Sequence, residues 1–230
     1  MTDVPEIINL ASVIEPHLNG SKLVSYTSRY LTKAGDNYGS VMLAIMANIQ
    51  KPSGEIEELP LVAKLPPITN DLFWDMFQPE RTCRSENAVY KYLSPFIRSL
   101  QLEAGIDEND LFDDFPLYYG SRISLNPNAE KVDRDAVLVQ ENLQTSGFKA
   151  GDRHKPFDMA HTKLILREMA KYHALPIALR LKKPQQFDAF IRPYFRRFNM
   201  NYGMAPEVKN QMESVSAEKE NLKKFHTLMD

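Results

Sequence analysis

Cysteine is nearly absent from this sequence: Cys83 is the single one in 230 residues. An internal disulfide is thereby excluded, and such usage fits a reducing compartment. Long apolar runs are missing too, so no segment suffices to span a bilayer. The first fifteen residues carry Asp3, Glu6 and Glu15 and lack a cationic start ahead of an apolar stretch, so no signal peptide is legible. These absences predict a cytoplasmic protein with no membrane partner. An excess of one charge is missing as well, with 28 Lys plus Arg against 30 Asp plus Glu. Nothing global therefore attracts nucleic acid; Arg196-Arg197 and Lys223-Lys224 read as solvated faces, and Lys182-Lys183 as a loop. Internal repeats and low-complexity tracts are also lacking. What remains is a chain with 43% hydrophobic residues, enough to bury a core in one domain of two parts or in two small domains.

The most informative stretch runs from Gly35 to Lys64. Gly35-Asp36-Asn37-Tyr38-Gly39-Ser40 precedes an apolar run from Val41 to Ile49; Pro52 and Gly54 punctuate a turn, and Leu61-Val62-Ala63-Lys64 follows. Short runs of β-formers separated by turn residues describe an antiparallel hairpin. The glycines offer backbone N–H groups without obstruction, and Lys64 brings a mobile positive charge to the same region. That combination suits a phosphate group.

Around this hairpin the pattern predicts further elements. Asp3 with Glu6 resembles a capping box for a helix through Ile7, Leu10, Ile14 and Leu18, stopped by Asn19-Gly20. Residues Leu23 to Leu31 alternate as a half-buried strand, with Val24, Tyr26 and Tyr30 on one face. Pro116 to Ser124 and Asp135 to Val139 add two strands, for an antiparallel sheet of about five. Between them a helix begins near Glu80, with Cys83, Val89, Tyr90 and Leu93 on one face, until Ser94-Pro95 breaks it and caps a second segment that Gly105 closes. Glu86 falls within that apolar face. A carboxylate so placed requires a partner, and Lys64 of the adjacent sheet is the nearest candidate.

After Leu143 a polar loop, Gln144 to Lys155, leads to helices. The organisation predicted is an N-terminal lobe over 1–143 and a helical lobe over 144–230. Asp158 caps a helix in which His161, Ile165, Met169 and Tyr172 form one stripe and Leu166, Ala170 and His173 another. Pro176, Pro184 and Pro193 divide the stretch beyond His173, and 206–229 is amphipathic through Val208, Met212, Val215, Leu222, Phe225 and Met229. His161 and His173 are twelve residues apart on one helix, roughly 18 Å at the helical rise, too far to share a metal ion.

Gly35-x-Asn37-Tyr38-x-Ser40, Val62-Ala63-Lys64, Glu86-x-x-x-Tyr90, Leu138-Val139-Gln140-Glu141-Asn142-Leu143 and Met169-Ala170-Lys171-Tyr172-His173-Ala174 occur in that order. As a set they resemble the insect ecdysteroid-kinase-like family, of the choline/aminoglycoside phosphotransferase branch of the protein-kinase-like fold. The resemblance implies an α+β fold with a five-stranded N-lobe, an αC-type helix and a helical C-lobe, here incomplete. It implies ATP and Mg²⁺ as cofactors and a small-molecule hydroxyl, on an ecdysteroid or other apolar alcohol, as phosphoryl acceptor. By the same resemblance Gly35, Asn37, Tyr38 and Ser40 cover the nucleotide phosphates, and Lys64 contacts them and pairs with Glu86. Val62 packs above the base, and Glu141, Asn142 and Leu143 form the hinge against the adenine.

The family's catalytic loop carries His-Gly-Asp followed by Asn, and a later Asp holds the metal. None of the five histidines, His17, His154, His161, His173 and His226, is followed by Gly-Asp. The expectation for this chain is thus a kinase fold that stops before its catalytic loop, with no catalytic residue and no metal ligand of its own, and hence inactive. A non-catalytic nucleotide-binding or protein-interaction module is the alternative.

Overall fold

In the computed structural model the hairpin is the centre of the sheet. Strand β2 (Val41–Gln50) pairs antiparallel with β3 (Ile56–Leu65) over ten residue pairs, from Val41 against Leu65 to Gln50 against Ile56. The turn closes through Lys51 N–H donating to the Glu55 carbonyl at 2.8 Å, and Gly54 takes φ 88°, a conformation that favours glycine. Described are residues 4–33, 37, 39–68, 71–152 and 154–195; the expectations for Asp3, Gly35, Asp36, Tyr38, Arg196-Arg197 and the 206–229 helix lie outside them. The described residues belong to one unit, Met1–Phe195.

Strands β1 (Lys22–Tyr30), β4 (Tyr118–Arg122) and β5 (Val137–Glu141) complete a five-stranded antiparallel sheet in the order β1-β2-β3-β5-β4. Alternation sorts the side chains. Leu43, Ile45, Ala47 and Ile49 of β2, Leu61, Ala63 and Leu65 of β3, and Val137 and Val139 of β5 share one face and form a core with Ile7, Leu10, Val13 and Ile14. Each fully buried Leu or Ile there contributes roughly 1.5–3 kcal/mol by removal from water. The opposite face carries Val62 and Lys64 of β3 beside Gln140 and Leu138 of β5.

Three expectations are corrected here. The N-terminal helix α1 covers only Leu10–Ile14 before a 3₁₀ turn at Glu15–His17, instead of starting near Asp3. Asn9 is left-handed, and the Ile7 backbone is held at 3.2 Å by the Tyr26 hydroxyl at both its N–H and its carbonyl, so that part of the chain is tied to β1. Val24 is exposed, because a register shift between Leu23 and Ser25 turns Leu23 inward in its place. Third, Ser94-Pro95 does not break the helix. After a short α2 (Asp71–Phe77), α3 (Pro79–Ala88) runs through a π turn at Val89–Leu93 into α4 (Ser94–Glu103). Proline removes one N–H and crowds the carbonyl four residues back; the wider turn, in which Ser94 N–H reaches the Val89 carbonyl, makes room for it. The extra residue also splits the apolar face: Cys83 and Glu86 point to the sheet, while Val89 and Leu93 join a second core.

That second core gathers Leu93, Ile97, Phe112, Leu179, Phe187 and Ile191, so it draws residues from both sides of position 143. Its later members come from α5 (Met159–Lys182) and α6 (Pro184–Phe190). Asp158 caps α5 as expected, accepting from His161 N–H at 2.8 Å. Pro176 does not end α5, which continues to Lys182; Leu175 and Leu179, packed on the second core, hold the helix on either side of it. Lys182 is the last residue of α5, and Lys183 pairs with Glu103 at 2.6 Å rather than lying in a free loop. The two apolar stripes predicted for α5 are not buried as stripes: of their members only Tyr172 packs on the core, and Ile165, Leu166 and Met169 stay exposed. Among the described residues no helix is long and apolar enough to cross a membrane.

Candidate functional site

The Lys64 ammonium is delivered by the last turn of the ladder. In register with Leu138 and Met42, it leaves the sheet on the face turned toward α3. Glu86, near the end of α3, meets it: Nζ donates to Oε1 at 2.7 Å. Both side chains retain about a third of their exposure, 32% and 31%. The pair is therefore partly shielded from water, and removing one partner leaves the other poorly compensated. Thr82, Cys83, Glu86 and Asn87 recur at helical spacing along α3, and all four reach the same cavity.

This cavity, about 320 Å³, is closed on the strand side by Lys64, Leu65, Val137 and Leu138 and at its mouth by Asn37, Gly39 and Ser40. It thus brings Asn37, Ser40, Lys64 and Glu86 together. Gly35 and Tyr38 lie outside the described residues. Asn37 is tied back to the end of β1, its Nδ2 donating to Thr32 Oγ1 at 3.1 Å. At Gly39 the space is taken by Phe77 of α2: a Cβ there would stand 2.8 Å from the ring, so only glycine lets the loop sit this close to the aromatic.

Val62, Glu141, Asn142 and Leu143 do not line the cavity. Of these only Val62 continues the Lys64 face; Glu141 ends β5 on the face of Leu61, and Asn142 and Leu143 follow in the turn. Val62, two residues before Lys64, is buried and opposes Gln140, and Leu61 opposes Glu141. At the strand rise this puts the turn after β5 about 10 Å from the level of Lys64. The turn is firmly built: Glu141 N–H donates to the Leu117 carbonyl at 2.9 Å while its carboxylate accepts from Leu117 N–H at 3.2 Å. Asn142, buried, donates to the Pro60 carbonyl and caps the 3₁₀ turn Leu143–Ser146 by accepting from Gln144 N–H at 3.1 Å.

Two further groups belong to this face. Gln140 is buried beside the Tyr90 hydroxyl, whose ionisation burial pushes up, and its Nε2 has no well-formed hydrogen bond. Cys83 is half-buried, and burial, with Glu86 beside it, pushes its thiol up to about 11. It is a packing group and not a nucleophile. Phe77, Thr82 and Asn87 were not singled out from the sequence, and Leu138 was named only within its motif. Thr82 and Asn87 could have been found by extending the Cys83–Glu86 spacing one residue each way; Phe77 could not, since nothing local pairs it with Gly39.

Among the described residues no three His, Cys, Asp or Glu side chains converge on a point that could hold a metal ion. Comparison with known proteins gives one family: the model of the ecdysteroid kinase-like family matches residues 34–228. That span covers every element from the glycine-containing loop onward, and the five-stranded antiparallel sheet with its helices agrees with the kinase-like fold of that family, whose members are phosphotransferases in kind. No curated protein and no solved structure matches.

Proposed function

Since the chain belongs to the ecdysteroid kinase-like family, we propose that it carries the nucleotide-holding half of a small-molecule kinase. The observation that carries this reading is the Lys64–Glu86 pair facing Asn37, Gly39 and Ser40 across one cavity. Phosphoryl transfer is mostly positioning and charge stabilisation. Lys64, kept at 2.7 Å by Glu86, supplies the charge that holds the ATP phosphates, while Asn37 and Ser40, with Gly35 and Tyr38 beside them in the sequence, cover them. The base then lies toward Val62 and the Glu141-Asn142-Leu143 hinge, beyond the cavity at Lys64. Bound ATP would supply a transferable γ-phosphoryl group to the hydroxyl of a small apolar alcohol, ecdysteroids being the class that the family's description names.

Magnesium fits less well. The described residues offer it no ligand set. The hydroxyl proton also needs a carboxylate acceptor, and no His-Gly-Asp occurs in the sequence. These 230 residues are accordingly read as holding nucleotide without turning it over. The test is calorimetry or thermal shift with millimolar ATP, with and without EDTA, on the wild-type chain and on Lys64→Ala. Binding raises the melting temperature by mass action, and loss of one charge-assisted contact should weaken it by about tenfold or more. A folded chain that ATP does not stabilise, or whose ATP response is indifferent to Lys64→Ala, overturns the reading.

A further inference from the structure

Among the described residues that line the Lys64 cavity, Phe77 is the one aromatic, and it comes from α2. That helix has seven residues, none of them buried. Its apolar side chains divide into two rows at helical spacing. Leu72 and Met76 are exposed, whereas Phe73 and Phe77 meet edge to face with ring centroids 6.2 Å apart.

The two ends of α2 are fastened differently. At its start, Arg134 of the β4–β5 connection donates to the Ile68 carbonyl, pairs with Asp71 and lies over Trp74, 5.1 Å from the ring centre. The Asp71 side chain is almost fully exposed, so that ion pair contributes little. At its end, Gln78 takes φ 47° and ψ 69°, a left-handed conformation uncommon outside glycine, and turns the chain into α3. Thr82 Oγ1 donates to the Phe77 carbonyl at 3.2 Å, which anchors the Phe77 backbone to α3. The ring reaches Gly39 from there. An added Cβ on Gly39 would stand 2.8, 3.0 and 3.1 Å from three ring carbons, so the ring sets how near the loop can come. Asn37 and Ser40, on either side of Gly39, line the same mouth.

We propose that Phe77 is a positioning residue of this cleft: its ring seats Gly39, and the seated loop holds Asn37 and Ser40 over Lys64 and limits entry to the cavity. The contact joins one ring to one stretch of backbone, and α2 has no buried residue, so it can part without disturbing the sheet beneath. The consequence for ATP rests on the nucleotide reading of the cleft; the consequence for access does not.

Cys83 lines the same cavity and is the only cysteine of the chain, so its alkylation reports entry. Iodoacetamide labelling at pH 8 is followed on the full chain in wild type, Phe77→Ala, Gly39→Ala and the double variant; circular dichroism and the emission of Trp74, the only tryptophan, check folding. Phe77→Ala should speed labelling by about fivefold or more, and Gly39→Ala, whose methyl collides with the ring, should speed it too. In the Phe77→Ala background Gly39→Ala should add less than about twofold, because the ring it collided with is gone. A role confined to propping α3 would leave the two substitutions additive. Phe77→Leu should give an intermediate rate with the same non-additivity, and it replaces the alanine variant if that one unfolds. Labelling that Phe77→Ala leaves unchanged, or a Gly39→Ala effect as large without the ring as with it, overturns the proposal. Millimolar ATP separates the two readings. If wild type binds it, Phe77→Ala should weaken binding by about threefold or more, and undiminished affinity overturns the positioning role. If wild type does not bind it, the nucleotide reading fails, and labelling alone still decides whether Phe77 seats the loop.

Discussion

The sheet and helix α5 are both rich in apolar residues and treat them oppositely. In β2 and β3 alternate residues are buried almost completely, Leu43 and Leu61 at 0% exposure, and the intervening ones deliver Val62 and Lys64 to the other face. In α5, 24 residues long, only Leu179 is buried, while Leu164, Leu166 and Met169 are 54%, 59% and 45% exposed. A strand residue paired on both sides has two directions available, and a shift of one residue would exchange the entire core for the entire cleft face. A helix stripe has no such constraint: its burial depends on a neighbour arriving, and among the described residues only the last turns of α5 meet one. Position on the sheet is thus fixed locally, and position on α5 is not.

The sharpest way to break the sheet side of that contrast is Gly120→Ala. Gly120 lies at a register shift in β4 with φ 127°, and a Cβ there would overlap the Val13 carbonyl oxygen of α1. Strain and backbone overlap act together, so the expected loss is on the order of 3–5 kcal/mol. Denaturant unfolding measures it, and a loss under about 1 kcal/mol would mean that α1 does not pack on β4 as described.

How far the sequence carried the structure obeys the same division. Both hairpin strands, β4, β5 and the Lys64–Glu86 pair were legible, because alternation and one misplaced carboxylate are local signals that only one pairing satisfies. The bulge at Val24, the left-handed Asn9 and the π turn before Pro95 were not. Each spends or saves one residue, a change that periodicity averages away. Of the cleft, Lys64, Glu86, Asn37 and Ser40 were readable and Phe77 was not, since its contact with Gly39 bridges two elements with no shared pattern. In α5 the Asp158 cap was readable and the buried face was not, because a twofold choice of stripe says nothing about which neighbour exists.

A smaller effect tests how well α3 is seated on the sheet. With its thiol pushed up to about 11 from 9.0, Cys83 at pH 8 holds about a hundredfold less thiolate than in the unfolded chain. Iodoacetamide should label the native chain slowly, with a rate that climbs about tenfold per pH unit until pH nears 11. The raised value also means that the folded state binds this proton more tightly. Its contribution to stability is complete below pH 9 and is lost as pH rises from 9 toward 11. Native labelling at pH 8 as fast as in urea would show α3 opening freely from the sheet.

The smallest effect is expected on α5. Leu166→Ala removes an exposed side chain from a helix that alanine suits at least as well as leucine, so nothing buried is lost and no cavity forms. Stability should stay within about 0.5 kcal/mol, against roughly 2–5 kcal/mol for Leu43→Ala, where deletion leaves a void in the core beneath the sheet. If Leu166→Ala instead costs as much as Leu43→Ala, then a partner covers the first turns of α5 in solution, and the contrast between sheet and helix disappears. Repeating the unfolding at several chain concentrations distinguishes the sources: a cost that grows with concentration means a second copy covers the stripe, and a cost independent of it means the same chain does.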